Sequence, residues 1–142
     1  MALQAGSLLN ERYSIEQIIA SGGMGAVYEA LDTVLNIKVA VKENTQTGVQ
    51  YIRQFRREAA LLSHLNHPNL PRVTDHFAIP EAGQYLVMDY IEGQDLRQQL
   101  ASQGTLPESD VIAIGAAVCD ALAYLHSRKP PIVHRDIKPG NI

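Results

Sequence analysis

The 142 residues contain a single cysteine, Cys119, so an internal disulfide is excluded and a reducing compartment is expected. Long apolar runs are also missing, because the longest, residues 111–119, is far shorter than the ~18 residues that span a bilayer. The chain does not open with a basic stretch and an apolar core, so we predict no signal peptide. We therefore expect a cytoplasmic segment without a membrane span, in which Cys119 behaves as a small buried hydrophobe.

An excess of positive charge is absent as well. The chain has 12 Lys and Arg residues against 15 Asp and Glu, which gives a net charge of −3. Since nucleic-acid-binding domains are usually basic, we expect no nucleic-acid partner. An anionic ligand would have to be held by a few local cations and by backbone N–H groups. With 46% hydrophobic and 19% charged residues, the chain can fill the core of a folded domain.

Apolar periodicity predicts strands first and helices later. Strands are predicted at residues 13–20, 26–31, 37–41, 72–79 and 84–91. Helices are predicted at residues 51–65, 95–102 and about 108–127, followed by a short strand and loop at 132–142. The first three strands lie too close together for helical crossovers, so the sheet should be antiparallel.

This order predicts an α+β fold. We expect a five-stranded antiparallel sheet with one helix, joined to the start of a helical lobe. The expected divisions are an N-terminal extension at 1–12, a sheet lobe at 13–88, a hinge at 89–93 and the beginning of a helical lobe at 94–142.

A glycine cluster, Gly22-Gly23-Met24-Gly25, separates the first two predicted strands. Glycines let backbone N–H groups approach phosphate oxygens without obstruction by Cβ atoms. A plain hairpin turn accounts for the cluster alone equally well. A dinucleotide-binding fingerprint would require a helix after the glycines, and residues 26–30 have a strand pattern instead.

A lysine and a glutamate form a second candidate pair. Lys42 ends an apolar strand, and Glu58 lies on the apolar face of the predicted helix together with Phe55 and Leu62. A buried carboxylate needs a partner, because an unpaired buried charge costs several kcal/mol. We therefore predict that Lys42 and Glu58 lie within ~4 Å of each other. The pair either directs Lys42 toward nucleotide phosphates or is a structural ion pair, and these two residues alone do not decide.

Residues 134–141, near the end of the sequence, combine an acid, two cations and a carboxamide. Asp136 can accept a hydroxyl proton, Lys138 can neutralise a transferring phosphoryl group, and Asn141 can offer an oxygen to a metal ion. The full segment reads His134-Arg135-Asp136-Ile137-Lys138-Pro139-Gly140-Asn141.

Four separated motifs, in this order, resemble the N-terminal portion of a eukaryotic-like bacterial Ser/Thr protein kinase domain. The motifs are Gly22-Gly23-Met24-Gly25-Ala26-Val27, Val39-Ala40-Val41-Lys42, Glu58 ahead of His67-Pro68-Asn69, and His134 to Asn141. The resemblance covers about residues 13–142. It implies a protein-kinase-like sheet lobe followed by the first helices and the catalytic loop of a helical lobe. The Asp-Phe-Gly segment, the activation loop and the remaining helical lobe of the family are absent from these 142 residues.

The resemblance implies ATP and Mg²⁺ as cofactors and protein Ser/Thr hydroxyls as acceptors of the γ-phosphoryl group. Asp136 would be the catalytic base, Lys138 the cation at the γ-phosphate and Asn141 a magnesium ligand. The residues implied at the nucleotide are Ala20, Gly22, Gly23 and Gly25 over the phosphates, Val27 and Ala40 on the adenine, Lys42 and Glu58 at the α- and β-phosphates, Met88 as gatekeeper, Asp89 and Ile91 in the hinge, and Asp95 at the ribose. Since the family usually has glycine at position 20, we expect a modestly altered nucleotide affinity.

A second hypothesis is a non-catalytic nucleotide-binding or interaction module derived from a truncated kinase. Without the Asp-Phe-Gly segment, the 142-residue chain alone should be inactive. Its long helix carries an apolar stripe of Ile114, Val118, Leu122 and Leu125, which we expect to be exposed and to promote self-association.

Overall fold

The computed structural model describes residues 3–23, 25–46 and 48–142. Met24, which belongs to the glycine cluster, lies outside the described residues. The strands are β1 (Leu8–Leu9), β2 (Tyr13–Gly22), β3 (Gly25–Asp32), β4 (Ile37–Asn44), β5 (Val73–Ile79) and β6 (Gly83–Asp89). The helices are α1 (Val49–Leu62), α2 (Leu96–Gln103), α3 (Glu108–His126) and a 3-10 turn (Pro139–Asn141).

The strands form one antiparallel sheet in the order β1-β2-β3-β4-β6-β5. Strand β6 is inserted between β4 and β5, and α1 lies in the connection between those two strands. The α+β class and the antiparallel sheet are confirmed. Strand β1 was not among the five predicted strands, because two residues are too few to show a periodic pattern.

Two compact units make up the described residues. The first comprises the chain up to Asn66 together with Pro71–Ile91, and it contains the sheet and α1. The second comprises His67–Leu70 and Glu92–Ile142, and it contains α2, α3 and the 3-10 turn. The glycine cluster therefore belongs to the first unit, and the segment around Asp136 belongs to the second.

The sheet unit is stabilised by apolar side chains on both faces. One face carries the fully buried side chains Tyr13, Tyr28, Val41, Tyr85 and Val87. Leu86, which lies between the last two, points to the opposite face and packs with Phe55 and Ala59 of α1. Each such side chain contributes roughly 1.5–3 kcal/mol when fully buried. The alternation in β6 thus explains why the sheet has α1 on one face and a second apolar cluster on the other.

Helix α3 differs from the prediction in its exposed and covered positions. Leu125 is buried and Ile114, Val118 and Leu122 are half-buried, so the expectation of a fully exposed stripe was wrong. The exposed apolar side chains lie at its N-terminal end, where Ile112 is 63% exposed. Cys119 is also exposed, which contradicts its prediction as a buried hydrophobe. Helical spacing identified the apolar positions, but it did not indicate which of them the rest of the unit covers.

The 19 residues of α3 are long and apolar enough to cross a membrane by length and composition, and little of the helix is buried. A core helix of a water-soluble domain meets the same two criteria. The expectation that the chain has no membrane segment is therefore not confirmed.

The predicted strand in 132–142 is absent, since the segment has extended or irregular backbone up to the 3-10 turn. Its start is held by a hydrogen bond from the Ile132 N–H to the carbonyl of Leu125 at the end of α3. A β-branched pattern forms a strand only where a neighbouring strand accepts its hydrogen bonds. That condition is not met by this segment.

Candidate active site

Gly22 and Gly25 are paired across the β2–β3 hairpin, and Gly23 lies in its turn. Gly25 has a φ of 143°, and a Cβ at that position would overlap the carbonyl oxygen of Glu43 in β4. The fold itself therefore requires glycine at 25. A Cβ on Gly22 or Gly23 would meet no atom of the described residues within 4 Å. Contacts with that part of the chain do not explain those two glycines, whereas the close approach of a ligand to the backbone would.

A cavity of about 710 Å³ lies between this hairpin, the end of β4 and α1. Its lining includes seven residues predicted from the sequence, namely Ala20, Gly22, Gly23, Gly25, Val27, Lys42 and Glu58. Polar side chains that sequence reasoning did not identify also line it, among them Asn44, Gln46, Tyr51 and Gln54. The volume falls in the range of pockets that bind small molecules.

The predicted contact between Lys42 and Glu58 is confirmed. Lys42 Nζ lies 3.7 Å from Glu58 Oε1. The two side chains are 44% and 48% exposed, however, so the expectation that burial forces Glu58 to find a partner was wrong. An ion pair at this exposure contributes at most about 1 kcal/mol to stability. The fold therefore does not depend on the pair, and the Lys42 ammonium has donors left for an anionic ligand.

The register of the sheet places the residues predicted to pack on adenine beside Lys42. Val27 is opposite Lys42, and Ala40 is opposite Met88. Opposed residues share a face of the sheet, as do residues two apart along a strand. Val27, Ala40, Lys42 and Met88 therefore lie on one face, which is the face that α1 partly covers. Met88 packs against the cluster under α1.

The end of β6 is fixed by a charged contact with Arg72. The carboxylate of Asp89 accepts hydrogen bonds from the N–H of Arg72 at 3.0 Å and from its Nε at 3.1 Å. In return, the Asp89 N–H donates to the carbonyl of Arg72. The hydrogen bond from the Arg72 guanidinium lowers the pKa of Asp89. Ile91, the other predicted hinge residue, is 70% exposed.

In the second unit, Asp95 is the N-cap of α2. Its carboxylate accepts the Gln98 N–H at 2.8 Å, and the Gln98 side chain accepts the Asp95 N–H at 3.1 Å, which together form a capping box. The next residue, Leu96, donates its N–H to the carbonyl of Ile142 at 2.8 Å. Asp95, the residue predicted at the ribose, therefore stabilises the N-terminus of α2 in this unit. The same end of the helix contacts Ile142.

The segment 134–141 brings three predicted residues together. Lys138 Nζ lies 2.9 Å from Asp136 Oδ2, and Asn141 Nδ2 donates to the same carboxylate oxygen at 2.9 Å and to the Asp136 carbonyl at 2.8 Å. The hydrogen bond from Lys138, followed by that from Asn141, lowers the pKa of Asp136. All three side chains are exposed, and Arg135 turns the chain ahead of them with a φ of 66°. The arrangement offers an ionised carboxylate next to a cation.

His134, the first residue of this segment, is exposed. Its Nδ1 accepts the N–H of Asp136 at 3.3 Å. Over the described ranges, which omit residues 1–2, 24 and 47, no group of three or more His, Cys, Asp or Glu side chains could hold a metal ion. Asn141 is compatible with a magnesium site of another kind. Its Nδ2 donates to Asp136, so its side-chain oxygen is the atom that could bind the ion, and Mg²⁺ usually takes few protein ligands beside phosphates and water.

Comparison with known proteins matches the protein kinase domain family to residues 13–142. Among the curated relatives, the chain is 37% identical over 140 residues to the serine/threonine-protein kinase PrkC of Bacillus subtilis, covering 96% of this chain and 21% of the relative. It is 36% identical over 149 residues to the serine/threonine-protein kinase PknA of Mycobacterium tuberculosis, covering 100% of this chain and 34% of the relative. The chain thus spans about a fifth to a third of the length of these kinases.

Solved structures give the same assignment. The crystal structure of the Mycobacterium tuberculosis PknI kinase domain superposes with a TM-score of 0.78 at 28% identity, covering 98% of this chain and 56% of that one. A variant of the same domain gives a TM-score of 0.82 at 30% identity, with 99% and 57% covered. The chain therefore belongs to the protein kinase domain family, among relatives that are bacterial Ser/Thr protein kinases.

Proposed function

We propose that the candidate active-site residues bind ATP with Mg²⁺. We propose further that the protein containing them transfers the γ-phosphoryl group to Ser or Thr hydroxyls of a protein substrate. The observation that carries this proposal is the contact of Asp136 with both Lys138 and Asn141 within one short loop. Positioning and electrostatic stabilisation are the main requirements of phosphoryl transfer, and this loop offers groups for both.

Asp136 is suited to orient an acceptor hydroxyl. Because its pKa is lowered, it is ionised at neutral pH and accepts a hydrogen bond from an incoming Ser or Thr. A carboxylate of lowered pKa is a weak base for a free hydroxyl, so the proton should move to it only as the new O–P bond forms and the bond from the γ-phosphorus to the leaving oxygen of ADP breaks. Lys138, at 2.9 Å, has two further N–H donors for the oxygens of the transferred group.

The nucleotide phosphates would meet the first unit at the glycine hairpin. Gly22 and Gly23 leave their backbone open, and Lys42 has donors beyond its contact with Glu58. Val27 and Ala40 would pack on the adenine from the same face of the sheet. When bound, Mg²⁺ would neutralise phosphate charge, and the side-chain oxygen of Asn141 would be its ligand from this chain.

The test is transfer of radiolabelled γ-phosphate from ATP to a general Ser/Thr protein substrate by the whole protein that contains this segment. We expect activity in the wild type and a loss of at least ~100-fold in Asp136→Asn. The control is Asp110→Asn, the same change at an exposed carboxylate in the first turn of α3. Full activity in Asp136→Asn would contradict the proposal.

Nucleotide binding without transfer would favour the second hypothesis, a non-catalytic nucleotide-binding module. The 142-residue polypeptide by itself contains no Asp-Phe-Gly sequence. We expect it to bind nucleotide without detectable transfer, and a transfer activity abolished by Asp136→Asn would show this expectation to be wrong.

A further inference from the structure

Strand β3 contains a buried glutamate, Glu29, that has no role in the nucleotide site proposed above. Glu29 is 3% exposed, and its carboxylate accepts hydrogen bonds from Gln17 Nε2 at 2.7 Å and from Lys38 Nζ at 2.6 Å. The side chain of Tyr90 forms a further hydrogen bond with it. Gln17, Glu29, Lys38 and Tyr90 are called the Glu29 cluster below. They come from β2, β3, β4 and the segment just after β6.

The Glu29 cluster borders the part of the sheet assigned to adenine. Glu29 is opposite Ala40, and it lies two residues from Val27 on the same face. Lys38 is likewise two residues from Ala40. Glu29 is therefore a neighbour, on the same face of the sheet, of the two residues proposed to pack on the base.

Tyr90 is the member of the cluster that matters for recognition of the base. The hydrogen-bonded ladder of β6 ends with the pair Val39 and Asp89, so residues 90–91 follow directly after the paired part of the strand. The side chain of Tyr90 contacts the cluster through its hydrogen bond with Glu29, and Lys38 Nζ lies 5.5 Å from the centre of its ring. Arg72 holds Asp89, the residue before it.

A simple structural ion pair would need only Glu29 and Lys38. In that case the carboxylate would have no need of a third partner on the segment beyond the sheet. The hydrogen bond from Gln17 and then that from Lys38 lower the pKa of Glu29 to about 2, so the group is charged at neutral pH and depends on its donors. The charge is thereby available to hold Tyr90.

We propose that the Glu29 cluster is a positioning site for the adenine base, in which Glu29 and Lys38 fix Tyr90 and so place the backbone of residues 89–91 for contact with the base. This rests on the proposed nucleotide-binding function. The cluster would act on the base alone, because the phosphates are assigned to the glycine hairpin and Lys42.

The test compares two ligands, ADP and inorganic tripolyphosphate, titrated by calorimetry into the 142-residue chain. Tyr90→Phe removes the hydroxyl but keeps the ring, and Glu29→Gln keeps the size of the side chain. In Tyr90→Phe we expect the Kd for ADP to rise about 5–10-fold, and the Kd for tripolyphosphate to stay within about twofold. Lys42→Ala should weaken both ligands.

The results separate the inference from the function on which it rests. Unchanged ADP affinity in Tyr90→Phe would overturn the positioning role, and so would an equal loss for both ligands. If Glu29→Gln does not fold, the half-buried Tyr90→Phe variant still decides, with its thermal unfolding compared with the wild type. A wild-type chain that binds tripolyphosphate but not ADP would overturn the inference. Binding of neither ligand would contradict the proposed function itself.

Discussion

Gly25→Ala tests whether the fold requires glycine at position 25 of the hairpin but not at position 22. At a φ of 143°, an alanine is strained by about 1–3 kcal/mol. Its Cβ would also overlap the carbonyl of Glu43, so β4 would have to move away from β3, which adds about 1–3 kcal/mol. We expect a total loss of about 2–6 kcal/mol in the free energy of unfolding. Gly22→Ala is the matched control, because its Cβ meets nothing within 4 Å, and its stability should change by less than ~1 kcal/mol.

Urea unfolding measures this difference. The chain contains no tryptophan, so far-UV circular dichroism or the fluorescence of its 6 tyrosines must be the signal. With a slope of about 1–3 kcal/mol per molar urea, a loss of 3 kcal/mol lowers the midpoint by about 1–3 M. Equal midpoints for Gly25→Ala and Gly22→Ala would refute the reasoning. We also expect Gly22→Ala to weaken nucleotide binding while remaining folded, because its Cβ would occupy the space left for phosphate.

Three further outcomes are expected. The Nε and Nη2 atoms of Arg12 donate three hydrogen bonds to Asp32 and lower the pKa of that carboxyl, so this stabilisation is present above about pH 4 and is lost as pH falls through the folded pKa. Arg12→Met should therefore lower the urea midpoint more at pH 7 than near pH 2, and urea unfolding that shows the same loss at both pH values would contradict the linkage. Asp95→Ala should lower stability by about 1 kcal/mol through loss of the capping box, whereas Gln98→Glu, which retains an acceptor, should cost less by the same assay. The exposed Ile112 should promote self-association, so light scattering should detect oligomers that Ile112→Ser reduces, and a monodisperse wild-type chain would speak against this.

Much of the fold could be predicted because its elements have strong periodic patterns. The strands and the three helices lie within a few residues of the predicted positions, since apolar alternation in β3 and β4 and helical spacing in α1 reflect real burial. The strand predicted at 132–142 failed for a different reason. Whether such a segment pairs depends on a neighbour far away in the chain, and local propensity does not contain that information.

The site residues that belong to sequence motifs could be predicted. The contact of Lys42 with Glu58 and the grouping of Asp136 with Lys138 and Asn141 follow from spacing along a helix or within a short loop. The Glu29 cluster could not be found in this way. Its members come from four segments, and only the strand register brings them together. A charged residue in the middle of an apolar strand was the one available signal.

The central claim is that the first unit binds the phosphates of an adenine nucleotide through Lys42. The most direct measurement is a calorimetric titration of the 142-residue chain with ADP, in the wild type and in Lys42→Ala, with Lys129→Ala as a control at an exposed lysine. We predict saturable binding in the wild type and in Lys129→Ala, and a Kd at least ~10-fold higher in Lys42→Ala, corresponding to ~1.4 kcal/mol. Equal affinity in Lys42→Ala and the wild type, or no binding in the wild type, would contradict the account.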